Sequence, residues 1–172
     1  MERLLSYKKV DEYFKNLATK HVDIKDYCGT SPLELAEKMA SVDGILSPIL
    51  VLFNYAGKLS GNQQRTFNNR ALSFSILYSG IGADDTVGQL TAKNDAEIIG
   101  LEVMSRIHVQ SKMQDIGWLY NNFEKESVVY EEVNAETAEG FCGFEFHFDL
   151  KTIEPLVVSP DKWTDGNIFC TA

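Results

Sequence analysis

Three side chains in one short segment could bind a metal ion or carry protons. Glu145, His147 and Asp149 alternate with apolar residues in FCGFEFHFDL, residues 141–150. Successive side chains of a β-strand point to opposite faces, so these three would lie on one face, with neighbours about 7 Å apart. Carboxylates and imidazoles are frequent metal ligands and general acid–base groups, which makes this row a candidate site.

A metal site usually draws ligands from a second element as well. The other two histidines, His21 and His108, lie on predicted helices that should cover the opposite, phenylalanine-bearing face. We therefore interpret the row as the polar face of a sheet, exposed to water or to another subunit. Ser73 and Ser75 should share this face if their strand joins the same sheet.

The cysteines give no second site. Cys28, Cys142 and Cys170 are odd in number, widely spaced and without a CxxC pair, which favours neither a disulfide scaffold nor a zinc site. Cys142 falls on the phenylalanine side of its strand, where a small buried residue is expected. A nucleophilic thiol would need a base from elsewhere, and none can be assigned.

Two glycine-containing segments are also interpreted as structural. SGIGADD resembles a phosphate-binding loop, but no helix is predicted to open directly behind it, and Asp84 and Asp85 are expected to be solvated. GKLSG has neither the Walker spacing nor the Lys-Ser/Thr ending. The sequence thus predicts no catalytic, cofactor-binding or metal-binding residue, no cofactor, and a protein that is not an enzyme.

Apolar spacing and capping residues predict seven elements. Their order is helix, helix, strand, strand, helix, strand, strand, over residues 7–24, 31–44, 48–55, 70–78, 94–113, 127–133 and 141–150. This order predicts an α+β fold in which α-helices pack on one face of an antiparallel β-sheet. We expect a single domain over residues 1–155 and a C-terminal tail over residues 156–172.

The predicted core lies between that sheet and the 95–112 helix. The strand residues assigned to it are large and apolar: Phe74, Ile76, Phe144, Phe146 and Phe148. The helix residues assigned to it form a broad apolar arc: Ile99, Leu101, Val103, Met104 and Ile107. Two polar segments, 56–69 and 79–93, are predicted to be long loops, and such loops often serve assembly.

Composition limits the possible functions. The chain has 172 residues, of which 44% are apolar and 24% charged, as in ordinary globular proteins. A net charge of −9 argues against binding the outside of a nucleic acid, although an acidic wall suits a conduit through which DNA slides.

The charged N-terminus lacks a signal-peptide pattern and no apolar run would span a bilayer, so we expect synthesis in the cytoplasm and no membrane partner.

Several stretches together carry a family resemblance over most of the chain. They are SYKKVDEYFKNLATKHVDI, PILVLFNYAG, NNRALSFSILY, DAEIIGLEVMSRI, SVVYEEV and GFCGFEFHF, with the later segment EPLVVSPDKW. In this order they resemble the small α+β neck and tail proteins of tailed bacteriophages and prophages, especially those of the tail-terminator or tail-completion type. The resemblance transfers no functional residues.

The resemblance implies a structural protein of the virion. Such a protein would form a homo-oligomeric ring, usually six-fold, that ends the tail tube and joins it to the head. Its partners would be the tail tube and the neck or connector proteins, with DNA only as passing cargo. We expect some of its acidic residues to face the lumen, from among Asp84, Asp85, Glu131, Glu132, Glu136 and Glu139.

Two other classes of function stay open at this stage. One is a small-molecule-binding or enzymatic α+β domain of ferredoxin-like type, which would use SGIGADD or the Glu145 row. The other is an accessory protein of immunity or stress. A concave pocket with perturbed titrating groups would favour the first of these over a structural ring.

Overall fold

The computed structural model describes residues 4–40, 44–62, 64–134 and 140–165. These segments form three α-helices, five β-strands and one short 3-10 helix. In chain order they are α1 (Tyr7–Lys20), β1 (Asp26–Cys28), α2 (Pro32–Ala40), β2 (Ile49–Gly61), β3 (Thr66–Ser79), α3 (Thr86–Gln110), β4 (Phe123–Val133), β5 (Phe141–Ile153) and the 3-10 helix Pro160–Lys162.

The five described strands form one sheet in the order β1-β2-β3-β5-β4. β1 runs parallel to β2, and the other neighbouring pairs are antiparallel. β5 lies between β3 and β4, so α3 is the crossover of a split β-α-β unit. The predicted α+β fold with a mainly antiparallel sheet is confirmed.

At the N-terminal end one predicted boundary was wrong and one strand was not predicted. α1 begins at its Ser6 cap, whose hydroxyl accepts a hydrogen bond from the Lys9 amide, and it ends at Lys20 rather than at residue 24. The chain then enters β1, a strand too short to show a period of its own. Its three residues are extended because they pair with Ile49–Val51 of β2.

The predicted loop 56–69 is instead a protruding β-ribbon. β2 and β3 stay paired from Ile49↔Leu77 to Gly61↔Thr66. The polar composition of this stretch hides the ribbon because neither face of its outer half is packed in the core, so the side chains do not alternate between apolar and polar. The predicted loop is therefore an extended arm of the sheet.

α3 is eight residues longer at its N-terminus than the sequence predicted. Asp85 caps it, because its Oδ1 accepts a hydrogen bond from the Gly88 amide at 2.9 Å. The predicted cap, Asn94, lies inside the helix. The predicted loop 79–93 shrinks to a short connection, and the Gly88 and Thr86 of the first turn explain why this turn lacks an obvious helical pattern.

One face of the sheet carries the main core, beneath α1 and α3. The residues fully buried there include Phe14, Leu52, Phe74, Ile76, Phe146 and Leu150. Phe148 is also buried, whereas Phe144 is half-buried, so the predicted phenylalanine row is confirmed except at its outer member. Leu101 was assigned to this core and is instead 40% exposed, on the outward side of α3.

Gly100 allows α3 to lie directly on the sheet. A Cβ atom at this position would stand 2.0 Å from Cε2 of Phe146. The Phe146 ring cannot easily move away, because it is stacked between Phe74 and Tyr130 with both ring centroids at 5.2 Å. The glycine thus serves close approach of helix and strand.

The opposite face carries a smaller apolar cluster at one end. It contains Cys28, Ile49, Val51, Leu77 and Phe141, with Leu35 of α2 packed against it. The predicted placement of helices on one face holds for α1 and α3, while α2 lies over the edge of the other face. The rest of that second face, called here the open face, has no helix over it among the described residues.

A buried ion pair marks the end of β5. Arg70 Nη2 lies 3.2 Å from Glu154 Oε2, and both side chains are almost fully buried. Arg70 also donates to Thr152 Oγ1 at 2.5 Å. Beyond Glu154 the described chain is largely exposed, including Leu156 and Trp163.

Candidate functional site on the open face

The Glu145 row lies on the open face, as predicted, and shares it with serines from β3. Ser75 pairs directly with Glu145, and Ser73 with His147. Both serines are buried although no helix covers them, because each stands between larger neighbours on the two flanking strands. Asp149 pairs with Ala71, one step further along the sheet.

β4 brings a second carboxylate to the row that the sequence did not place there. Glu131 lies directly opposite Glu145 in the β4–β5 register. A bulge between Glu124 and Val129 sets this register. Because one residue more or less in that bulge would move Glu131 to the other face, the meeting of the two carboxylates could not be inferred from the sequence.

Glu131, Glu145 and His147 form a compact cluster, called here the EEH cluster. His147 Nε2 lies 3.4 Å from Glu145 Oε1 and 3.9 Å from Glu131 Oε1. One ligand atom from each residue can be chosen so that all lie within 4.8 Å of one another. Asp149, the third member of the predicted row, is not part of it.

The EEH cluster is acidic and poorly compensated. Carboxylates directly opposite each other on neighbouring strands repel. Among the described residues, His147 is the one base within ion-pair distance of either glutamate. Lys93 of α3 bonds Glu132, on the other face of the sheet, at 2.9 Å. Hydrogen bonds from Lys93 and Asn134 hold the pKa of Glu132 below its usual range.

The structure around SGIGADD does not favour a phosphate site, although the sequence-based reason against one was wrong. A helix does open directly behind it, at Thr86. The Gly88 amide at that N-terminus already donates to the Asp85 carboxylate. A second exposed carboxylate, Asp84, adds negative charge where a phosphate would have to approach.

The two described cysteines have the character expected of packed thiols. Cys28 and Cys142 are buried and free. Burial raises the pKa of the Cys28 thiol to about 11, and burial also raises the pKa of Cys142. Neither thiol is activated as a nucleophile would be. Cys170 lies outside the described residues, as do Glu136 and Glu139.

The remaining histidines are separated from the EEH cluster. His21 caps α1 and pairs with Glu102 at 2.9 Å, and His108 packs near the Phe123 ring. Both lie with the helices on the covered side of the sheet. The prediction that they would not join the Glu145 row is confirmed.

A cleft lies between α1, β1 and α2, away from the open face. Its volume is about 590 Å³, and acidic residues and lysines together make up most of its lining. Tyr27 donates a hydrogen bond to Asp11 Oδ1 at 2.7 Å, and Lys38 lies 2.5 Å from Asp26. Burial, together with the bond to Asp11, raises the pKa of Tyr27 strongly. Sequence patterns gave no sign of this cleft because its residues come from three elements.

The outer face of α3 carries a stripe of exposed apolar side chains. Its members lie on one side of the helix and are between 40% and 76% exposed: Val87, Leu90, Ile98, Leu101 and Val109. The stripe runs about 33 Å along the helix. Polar residues, among them Asn94 and Ser105, lie between its members. Exposed apolar side chains on a helix that already packs a full core on its other side are typical of an interaction surface.

Two strand edges are also open within the described chain. The outer edge of β4 has no partner strand, and β2 has none along its outer half because β1 pairs with its first three residues alone. Open edges at both flanks of a sheet are places where another chain can add.

No helix in the described segments has the length and apolar character needed to cross a membrane. No protein-family model matches the chain, and no curated protein matches it in sequence.

Proposed function

We propose that this protein is a structural component of a tailed-phage virion. It would form a homo-oligomeric ring, usually of six subunits, at the head-proximal end of the tail. There it would cap the tail tube and join it to the head, and DNA would pass through the lumen. This proposal rests on the family resemblance of the sequence and on the surfaces that the fold leaves bare.

The observation that carries the proposal is the apolar stripe on α3. A monomer gains nothing by exposing Leu90 and Ile98 on one side of a helix, whereas a neighbouring copy can bury them. The two open sheet edges lie at opposite flanks, as a head-to-tail ring contact requires, since such a contact joins two different surfaces of the same subunit. The occupant proposed for the stripe is therefore a second copy of this chain.

The acidic surface suits a channel for DNA. Asp84 and Asp85 lie beyond the end of β3, and Glu131 and Glu132 lie near the end of β4, so both pairs occupy the same end of the sheet. Their orientation towards a lumen stays a prediction. Asp84 is the better probe of the two aspartates, because Asp85 is needed as the cap of α3.

The proposal is tested in the phage or prophage that encodes the chain. Deleting the gene should give tails of uncontrolled length that do not join heads, and a plasmid copy should restore infectious particles. Leu90→Glu combined with Ile98→Glu should fail to restore them. Val22→Glu, at an apolar residue 83% exposed outside the stripe, is the matched control and should succeed. Normal particles in the deletion strain would contradict the proposal.

A second candidate function is the binding of a small molecule in the α1–β1–α2 cleft. Its volume lies within the usual range of ligand sites, and Tyr27 is a perturbed titrating group inside it. A ligand of this cleft should raise the melting temperature of the protein, and Tyr27→Phe should reduce that rise. Assembly should be unaffected by the same substitution.

A further inference from the structure

We infer that the EEH cluster is a binding site for a divalent transition-metal ion of the zinc type. The ion would be held by His147 Nε2 and by one carboxylate oxygen each of Glu131 and Glu145. This inference is independent of the proposed virion function. It revises the expectation from sequence, which excluded a metal because no second element was seen to supply a ligand.

The geometry is close to what such an ion needs. Ligand atoms about 2.0–2.2 Å from a tetrahedral zinc ion stand roughly 3.3–3.6 Å from one another. His147 Nε2 is already 3.4 Å from Glu145 Oε1 and 3.9 Å from Glu131 Oε1. The Glu131 side chain is 74% exposed, so a rotation about its own bonds can close the remaining gap without moving the sheet.

An unpartnered buried hydroxyl gives independent support. Ser75 is fully buried, and its Oγ has no hydrogen-bond partner among the described residues. It lies on the same face as the cluster, directly opposite Glu145. Buried hydroxyls are nearly always satisfied. Three protein ligands leave a fourth position on zinc for water. Ser75 Oγ is closed to solvent as the side chains stand, so such a water would reach it once Glu145 turns to bind the ion.

Charge favours the same conclusion. The carboxylates of Glu131 and Glu145 face each other across two strands, and His147 is the one base near them in the described chain. A divalent cation removes the repulsion between the two carboxylates. The mixed imidazole and carboxylate set selects zinc-type ions over magnesium and calcium, which prefer oxygen ligands throughout.

The test is a calorimetric titration of chelator-stripped full-length protein with Zn²⁺. We expect one ion per chain, and at least tenfold weaker binding in His147→Gln and in Glu131→Gln. Two variants serve as controls and should bind as the parent does. Asp149→Asn alters the next acid along the row, and His21→Gln alters a second His–Glu pair that has no third ligand.

Circular dichroism should show that each variant is folded. A loss of zinc affinity can then be assigned to the removed ligand and not to unfolding. Mg²⁺ in place of Zn²⁺ should give no comparable heat. The inference is overturned if the parent binds no stoichiometric zinc, or if His147→Gln leaves the affinity unchanged. It is equally overturned if His21→Gln weakens binding as much as His147→Gln, because the metal would then be held elsewhere.

Discussion

The two faces of the sheet are built on different principles. The covered face holds a continuous core in which Phe146 is stacked between two other rings under a helix that touches it at Gly100. The open face holds a small cluster at one end and, beside it, the half-exposed EEH cluster. We therefore expect the covered face to contribute most of the folding stability. The groups available for binding are the EEH cluster on the open face, the open strand edges and the outer side of α3.

This comparison predicts the largest effect for a core truncation. Phe146→Ala should lower the free energy of unfolding by about 3–5 kcal/mol, because it removes a fully buried ring and leaves a cavity. His147→Ala, one residue along the same strand but on the open face, should cost less than about 1 kcal/mol in the presence of a chelator. Urea unfolding of both variants measures the difference, and equal losses would show that the two faces contribute alike.

A smaller loss of unfolding free energy is expected when a larger residue at position 100 pushes α3 away from the sheet. Gly100→Ala should cost about 1–3 kcal/mol by overpacking, although alanine favours a helix more than glycine does. Adding Phe146→Leu, which makes room, should recover part of that loss in a double-mutant cycle. If Gly100→Ala stabilises the protein, helix and strand are not in close contact at this point.

The smallest effect concerns the two described cysteines, which lie on opposite faces of the sheet. Cys142 lies beneath α3, whereas Cys28 lies in the small cluster beside α2. With a pKa of about 11, the Cys28 thiol is about one part in a thousand thiolate at pH 8, and burial slows its reaction further. In a Cys170→Ser background both thiols should label slowly, Cys28 before Cys142. The reverse order would show that the small cluster is the more stable one.

The covered face could be largely predicted from the sequence, because a strand buried on one face shows alternating apolar and polar residues. Phe74, Phe146 and Phe148 were found from strand alternation alone. Features set by pairing between distant segments could not be found in this way. The β2–β3 ribbon is polar on both sides, and Glu131 meets Glu145 and His147 through a bulge whose length sets the register.

Errors on α3 have a similar cause. Its first turns contain Gly88 and face partly outward, so the apolar arc was located from Ile99 onwards and the Asp85 cap was missed. The sequence places Leu101 in the core, because hydrophobic character alone does not distinguish a buried residue from one exposed on the outer side of the helix. Ile98 and Leu101 on the outer side are informative for that reason.

We propose that this chain assembles through surfaces that the monomer leaves bare. The most direct test is the mass and shape of the purified protein, by sedimentation and electron microscopy. We expect closed rings with an open centre and a mass that is a multiple of 19.3 kDa. Leu90→Glu combined with Ile98→Glu should convert them into smaller species. A protein that sediments as a monomer at every concentration would contradict it.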